Sequence, residues 1–171
     1  MIDFKQYDNG AVSHLGKLKL NRLPLLSWDF YGDFYQSLSG NIADLNQLHL
    51  MAVENNWCLD TEITEHLQQQ MVVVVTDTAI RIVFSSKNII HMTGYKQEEV
   101  IGKSPKMFQG HSTSGEISAA IRNAIDNRKP FDKTVVNYKK DGTAYDCHIK
   151  GFPIFNSKGS LCHFIAFERA A

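Results

Sequence analysis

The 171-residue chain carries 43% hydrophobic and 21% charged residues, a globular balance that excludes disordered, collagen-like and low-complexity classes. Lys+Arg and Asp+Glu stand at 18 each, so no net positive field draws the chain to nucleic acid or an anionic membrane. The longest apolar run, Met71 to Val75, falls far short of the ~20 residues of a membrane-spanning helix, and no basic-then-apolar signal segment opens the sequence.

A cytoplasmic location is the resulting expectation. Cys58, Cys147 and Cys162 are odd in number and lack the paired spacing of a disulfide framework or zinc site, so they read as reduced thiols. The seven histidines include no HxxxH or HxxxxH pair, which points to scattered surface and core histidines and to no metal.

Residues 1–24 carry few periodic signals and end in Leu23-Pro24, the signature of a lead-in. Trp28, Tyr31, Phe34, Tyr35 and Leu38 then recur at three- and four-residue steps, one face of a helix stopped by Gly40. Ile42, Leu45, Leu48 and Ala52 repeat the pattern, and Asp60 or Thr61 can cap a third helix through Ile63 and Leu67. Near residue 70 the periodicity changes. This divides the chain into a helical extension, 1–70, and a β-rich domain, 71–171.

Met71 to Thr76 and Ile80 to Phe84 flank an Asp77-Thr78 turn and read as a hairpin. Ser85 or Ser86 can cap a short helix carrying Ile89, Ile90 and Met92 and ending at Gly94; Lys96 to Ile101, ended by Gly102, makes another. Thr113 with Glu116 forms a capping-box pattern ahead of Ile117, Ala120, Ile121, Ala124 and Ile125, one apolar helical face running to about Asn127. Three strand patterns follow Pro130: Phe131 to Lys139, Thr143 to Phe152 and Leu161 to Phe167. Two strands, several helices and three strands predict an α+β fold, a five-stranded antiparallel sheet with short helices on one face.

Thr93-Gly94-Tyr95-Lys96-Gln97-Glu98-Glu99-Val100-Ile101-Gly102 resembles the TGY-x-x-EE segment of PAS domains, and Asn137-Tyr138-Lys139-Lys140-Asp141-Gly142 resembles their NY-x-K-x-G hairpin. With Phe108-Gln109-Gly110 and Ala120 to Ile125, the chain is most similar to the blue-light-sensing LOV branch over about residues 72–169. The resemblance implies a PAS fold preceded by a helical segment, and a sensory role.

The LOV branch forms a light-driven flavin adduct through the Cys of a GxNCRFLQG motif. Here the segment reads Gly102-Lys103-Ser104-Pro105-Lys106-Met107-Phe108-Gln109-Gly110, and Pro105 has no thiol to offer. Two family asparagines that contact the flavin ring fall on Asn137 and Cys147, and the family's last-strand glutamine falls on Glu168. An ionised carboxylate only accepts, whereas an amide also donates, which argues against flavin. The family's phosphate-side arginines align with Lys106 and Arg122, leaving room for an anionic ligand. Haem needs an axial histidine from the helix near 114–127, which has none.

Strand alternation puts Val135 and Asn137, then Tyr145, Cys147 and Ile149, then Phe164, Ala166 and Glu168 each on one face; with faces set by the resemblance, all point beneath the helices. The candidate ligand pocket is therefore Asn137, Cys147, Glu168, Gln109, Arg122 and Lys106. A core in which these polar groups satisfy one another remains the alternative. No nucleophile, base and orienter converge, so no enzyme is expected. The opposite face, with Thr134, Val136, Tyr138, Ile165 and Phe167, is too apolar to stay wet; amphipathic helices between Ser27 and Leu67 are expected to cover it, within the chain or across a homodimer. The expected role is a non-catalytic signalling module with a protein partner and a possible small-molecule ligand; the alternatives are a ligand-free dimerisation or protein-interaction module and, from the resemblance, a flavin-binding LOV-like protein without cysteine photochemistry.

Overall fold

A computed structural model describes residues 43–59, 61–67 and 71–171; the expected helix from Trp28 to Leu38 lies outside them. Ser39–Ala171 makes one compact unit. Its helices are α1 over residues 43–54, α2 over Thr61–Leu67, α3 over Ile89–Thr93, α4 over Gln97–Val100 and α5 over Gly115–Asp126, with a 3-10 turn at Pro105–Phe108. Its strands are β1 (Trp57–Cys58), β2 (Val72–Asp77), β3 (Ile82–Ser85), β4 (Phe131–Tyr138), β5 (Ala144–Asn156) and β6 (Leu161–Ala170).

Every ladder is antiparallel, in the order β3, β2, β6, β5, and β5 carries both β4 and β1 on its remaining edge. The order follows from the chain: hairpin turns join β2 to β3, β4 to β5 and β5 to β6, while the helices from α3 to α5 span the one long return. The Lys139–Asp141 turn is closed by the Gly142 amide donating to the Lys139 carbonyl at 2.9 Å, with Gly142 at φ +87°, a backbone only glycine adopts freely.

The sheet has an apolar cluster on each face. Val72, Val74, Ile82, Ile89, Met92, Val100, Phe108 and Cys147 pack on the side of α3 and α4. Val73, Val75, Phe152, Ile154, Ile165 and Phe167 pack on the other side, against Leu48 of α1 and Ile63 of α2. The alternation of β2 explains its unbroken valine run, since both of its faces are buried. Each such side chain removed from water contributes about 1.5–3 kcal/mol. Ile165 and Phe167 of the expected outer face are thus covered by helices of the same chain, whereas Thr134 is exposed and Val136 and Tyr138 are only half-buried outside that cluster; Asp44 fastens α1, its buried carboxylate accepting from the Lys87 amide at 2.7 Å.

Local details depart from the sequence expectations. The α5 cap is Ser114, whose Oγ accepts from the Ile117 amide at 3.3 Å. Thr113 instead accepts from the Gly110 amide and donates to the Val136 carbonyl at 2.6 Å, because β4 offers it a half-buried acceptor. Ser86 does not cap α3; Asn88 stands at that position, and the Ser86 hydroxyl accepts from the Val73 amide at 2.8 Å. Ile80, expected in a strand, sits in the turn at φ +59°. On α1 the inward residues are Asp44 and Leu48, while Leu45 is 46% exposed. Strand β1, which pairs Trp57 and Cys58 with Asn156 and Phe155, was not expected from so short a run.

Candidate functional site

Helix α5 is amphipathic, with Ile117, Ile121 and Ile125 along one side, yet none of its residues is buried. Its apolar side looks onto open space. Between α5, the 3-10 turn and the inner face of the sheet lies a cavity of about 620 Å³, within the roughly 300–1,000 Å³ of small-molecule sites. Its walls are largely apolar, with Val74, Phe108, Ile121, Phe131, Val135 and Phe164 among them.

Five of the six residues singled out from the sequence line this cavity: Lys106, Gln109, Arg122, Asn137 and Glu168. Lys106 and Gln109 come from the 3-10 turn and its end, where Pro105 enters the first position and Ser104 Oγ accepts from the Lys106 amide at 3.4 Å. Pro105 also lines the cavity. Arg122 projects from α5 and pairs through Nε with Asp126 at 3.2 Å, both side chains being largely exposed. Such a pair is weak, so the guanidinium stays available to an anion.

The sheet supplies the other polar groups. Asn137 on β4 and Glu168 on β6 are 4% and 5% exposed; Glu168 stands opposite Val72 and Ile149 in its two ladders. Cys147, the sixth residue, lies behind the lining, fully buried, with its Sγ donating to Glu168 Oε2 across 3.8 Å. Loss of hydration pushes the Glu168 carboxyl up to about 7, the thiol contact opposing the rise. Desolvation also raises the Cys147 thiol, reinforced by the Glu168 charge, and raises the Tyr145 phenol. The Tyr145 hydroxyl is buried without a hydrogen-bond partner among the described residues. Near pH 7 Glu168 is thus divided between neutral and ionised forms, and the neutral carboxyl both donates and accepts, as an amide does.

The sequence did not single out Ile80, Phe131 or Gly151, which also line the cavity. Gly151 carried a readable signal, since a glycine inside a strand marks close approach; Phe131 faces it in the β4–β5 ladder and its ring occupies the space a Cβ would need. His111 stands apart, its ring against the Tyr138 hydroxyl at 3.1 Å. The His148–Asp132 pair, 2.6 Å long, leaves His148 Nδ1 buried without a partner among the described residues. Among the described residues no cluster of three His, Cys, Asp or Glu suits a metal, and no helix is long and apolar enough to cross a membrane.

The PAS domain model matches residues 69–169. The chain belongs to the PAS domain family. This PAS domain is 38% identical over 87 residues to a blue-light-activated histidine kinase of Brucella ovis, a match covering 51% of this chain and 18% of the kinase. It is 35% identical over 88 residues to Protein TWIN LOV 1 of Arabidopsis thaliana, covering 51% of this chain and 22% of that protein. The chain thus spans about a fifth of the length of these curated relatives. The dark structure of the blue-light photoreceptor Aureochrome1 LOV superposes with a TM-score of 0.62 at 25% identity, over 67% of this chain and 86% of that one. The sheet and short helices are therefore a LOV-like PAS fold, a sensory signalling module.

Proposed function

We propose that this PAS domain is a non-catalytic sensory module that holds a flavin without a thiol adduct and passes changes in the ligand's state to the helices on the far face of the sheet. The observation that carries the reading is the cavity of about 620 Å³ left beneath α5, whose apolar side is complete only when something fills the space.

The residues present fit a flavin. Lys106 and Arg122 supply positive charge for a phosphate, and Asn137 with neutral Glu168 supplies donors and acceptors for the edge of a ring system. The objection that Glu168 only accepts is removed by its burial, which keeps a large share of the carboxyl protonated at neutral pH. A bound flavin brings visible absorption and one- and two-electron redox chemistry. The chain's part is to bind it, exclude water and hold a proton at Glu168. Pro105 where the LOV motif has its cysteine, and Cys147 behind the lining, support binding without a thiol adduct.

The outward path runs through β2 and β6. Val74 and Glu168 face the cavity, while their neighbours Val73 and Phe167 carry Leu48 and Ile63. Leu45, Leu50 and Val53, exposed on α1, favour a protein partner or a second copy of the chain as recipient. The test is the visible spectrum of the purified full chain, with mass spectrometry of what denaturation releases and titration with FMN. A flavin band that returns after illumination without thiol modification is expected. Failure to retain or bind any flavin overturns the reading.

A further inference from the structure

The main cavity does not end at Arg122. A second, more open groove of about 230 Å³ continues from it, lined by Thr78, Arg122, Asp126, Arg128, Leu161 and Phe164, and Ile80, Arg122, Ile125 and Phe164 border both spaces. The groove carries its own cation. Arg128 forms no ion pair among the described residues, and its backbone is fixed at φ +55° beyond the α5 terminus, where its amide donates to the Ile125 carbonyl at 2.9 Å.

The junction is built at a conformational cost. Ile80 is β-branched and stands at φ +59°, a region such residues avoid. Asp77 holds it there: its Oδ1 accepts from the Ala79 and Arg81 amides at 2.9 and 2.8 Å, and its carbonyl accepts from the Ile80 amide at 3.0 Å. The result is an apolar side chain kept at the border of the two spaces, which Arg122 also lines.

We infer that the ligand is a dinucleotide flavin, FAD rather than FMN. This rests on the flavin reading above. Lys106 and Arg122 already answer one phosphate; Arg128, with a groove of its own, answers a second. Phe164, Leu161 and Ile80 offer apolar surface to a flat base, and Asp126, bonded to Arg122 through Oδ1 alone, has Oδ2 left to accept from a ribose hydroxyl or an adenine amino group.

The full chain, stripped of ligand, is titrated with riboflavin, FMN and FAD by flavin fluorescence. FAD is expected to bind about tenfold tighter than FMN, the contribution of one charge-assisted contact. Arg128→Asn, a residue that tolerates the left-handed backbone, should lower FAD affinity about tenfold and leave FMN within about twofold. FMN binding as tightly as FAD, or an FAD preference untouched by Arg128→Asn, overturns the inference and leaves the flavin reading standing. No binding of any of the three overturns both.

Discussion

Cys147 and Glu168 meet side by side on β5 and β6, thiol to carboxylate across 3.8 Å, with almost no solvent at either group. Burial raises the carboxyl from its ordinary 4.5 to about 7. The folded protein therefore holds a proton that the unfolded chain releases, so this group's contribution is greatest below about 4.5 and is lost as pH rises towards 7. The loss amounts to about 3 kcal/mol. Glu168→Gln should melt higher than the natural protein at pH 8 and close to it at pH 4.5. Parallel melting curves at both pH values would rule out a buried, proton-holding Glu168.

The same burial makes Cys147 unreactive. Cys58 is exposed and Cys162 partly so, whereas Cys147 is enclosed and its thiol is pushed up by desolvation and by the Glu168 charge. Iodoacetamide at pH 7.5 should alkylate Cys58 first and spare Cys147 until the protein unfolds. Peptide mapping by mass spectrometry reads the order, and early labelling of Cys147 would contradict the placement.

Asp44 ties α1 to the segment before α3 through the Lys87 amide. Asp44→Asn retains an acceptor, whereas Asp44→Ala leaves that amide without one and should cost about 1–2 kcal/mol. Hydrogen exchange at Lys87 should accelerate in the alanine variant only. Equal exchange in both variants would mean the bond carries no weight.

Gly151 is the floor on which Phe131 rests. A Cβ there falls on the ring, so Gly151→Ala must displace Phe131 from its place in the cavity wall at about 1–3 kcal/mol of overpacking. Flavin affinity should fall about tenfold or more, measured by fluorescence titration. Unchanged affinity with unchanged stability would show that the ring is free to move.

What the sequence disclosed follows from how far each signal reaches. The five long strands and α5 were legible because alternation and helical spacing are local, and strand phase brought Asn137 and Glu168 to one face because the side-chain period is fixed. The raised titration of Glu168 was not legible, since it comes from burial that only the assembled sheet provides, with Val72 and Ile149 beside it on two other strands. Ser114 and Thr113 are adjacent hydroxyls with equal claims to the cap; the Val136 carbonyl, far along the chain, decides between them. Ile80 looked like a strand residue by its type, and only the Asp77 bonds reveal the turn.

The valine run of β2 separates two compartments with a single thickness of backbone. Val72 and Val74 belong to the cavity side, Val73 and Val75 to the helix side. Inserting one residue into this strand would exchange the two sets, turning cavity wall into helix seat along half its length. The strand therefore tolerates exchange of one aliphatic side chain for another while forbidding any change in its length, and variation between descendants of this chain should accumulate at its turns.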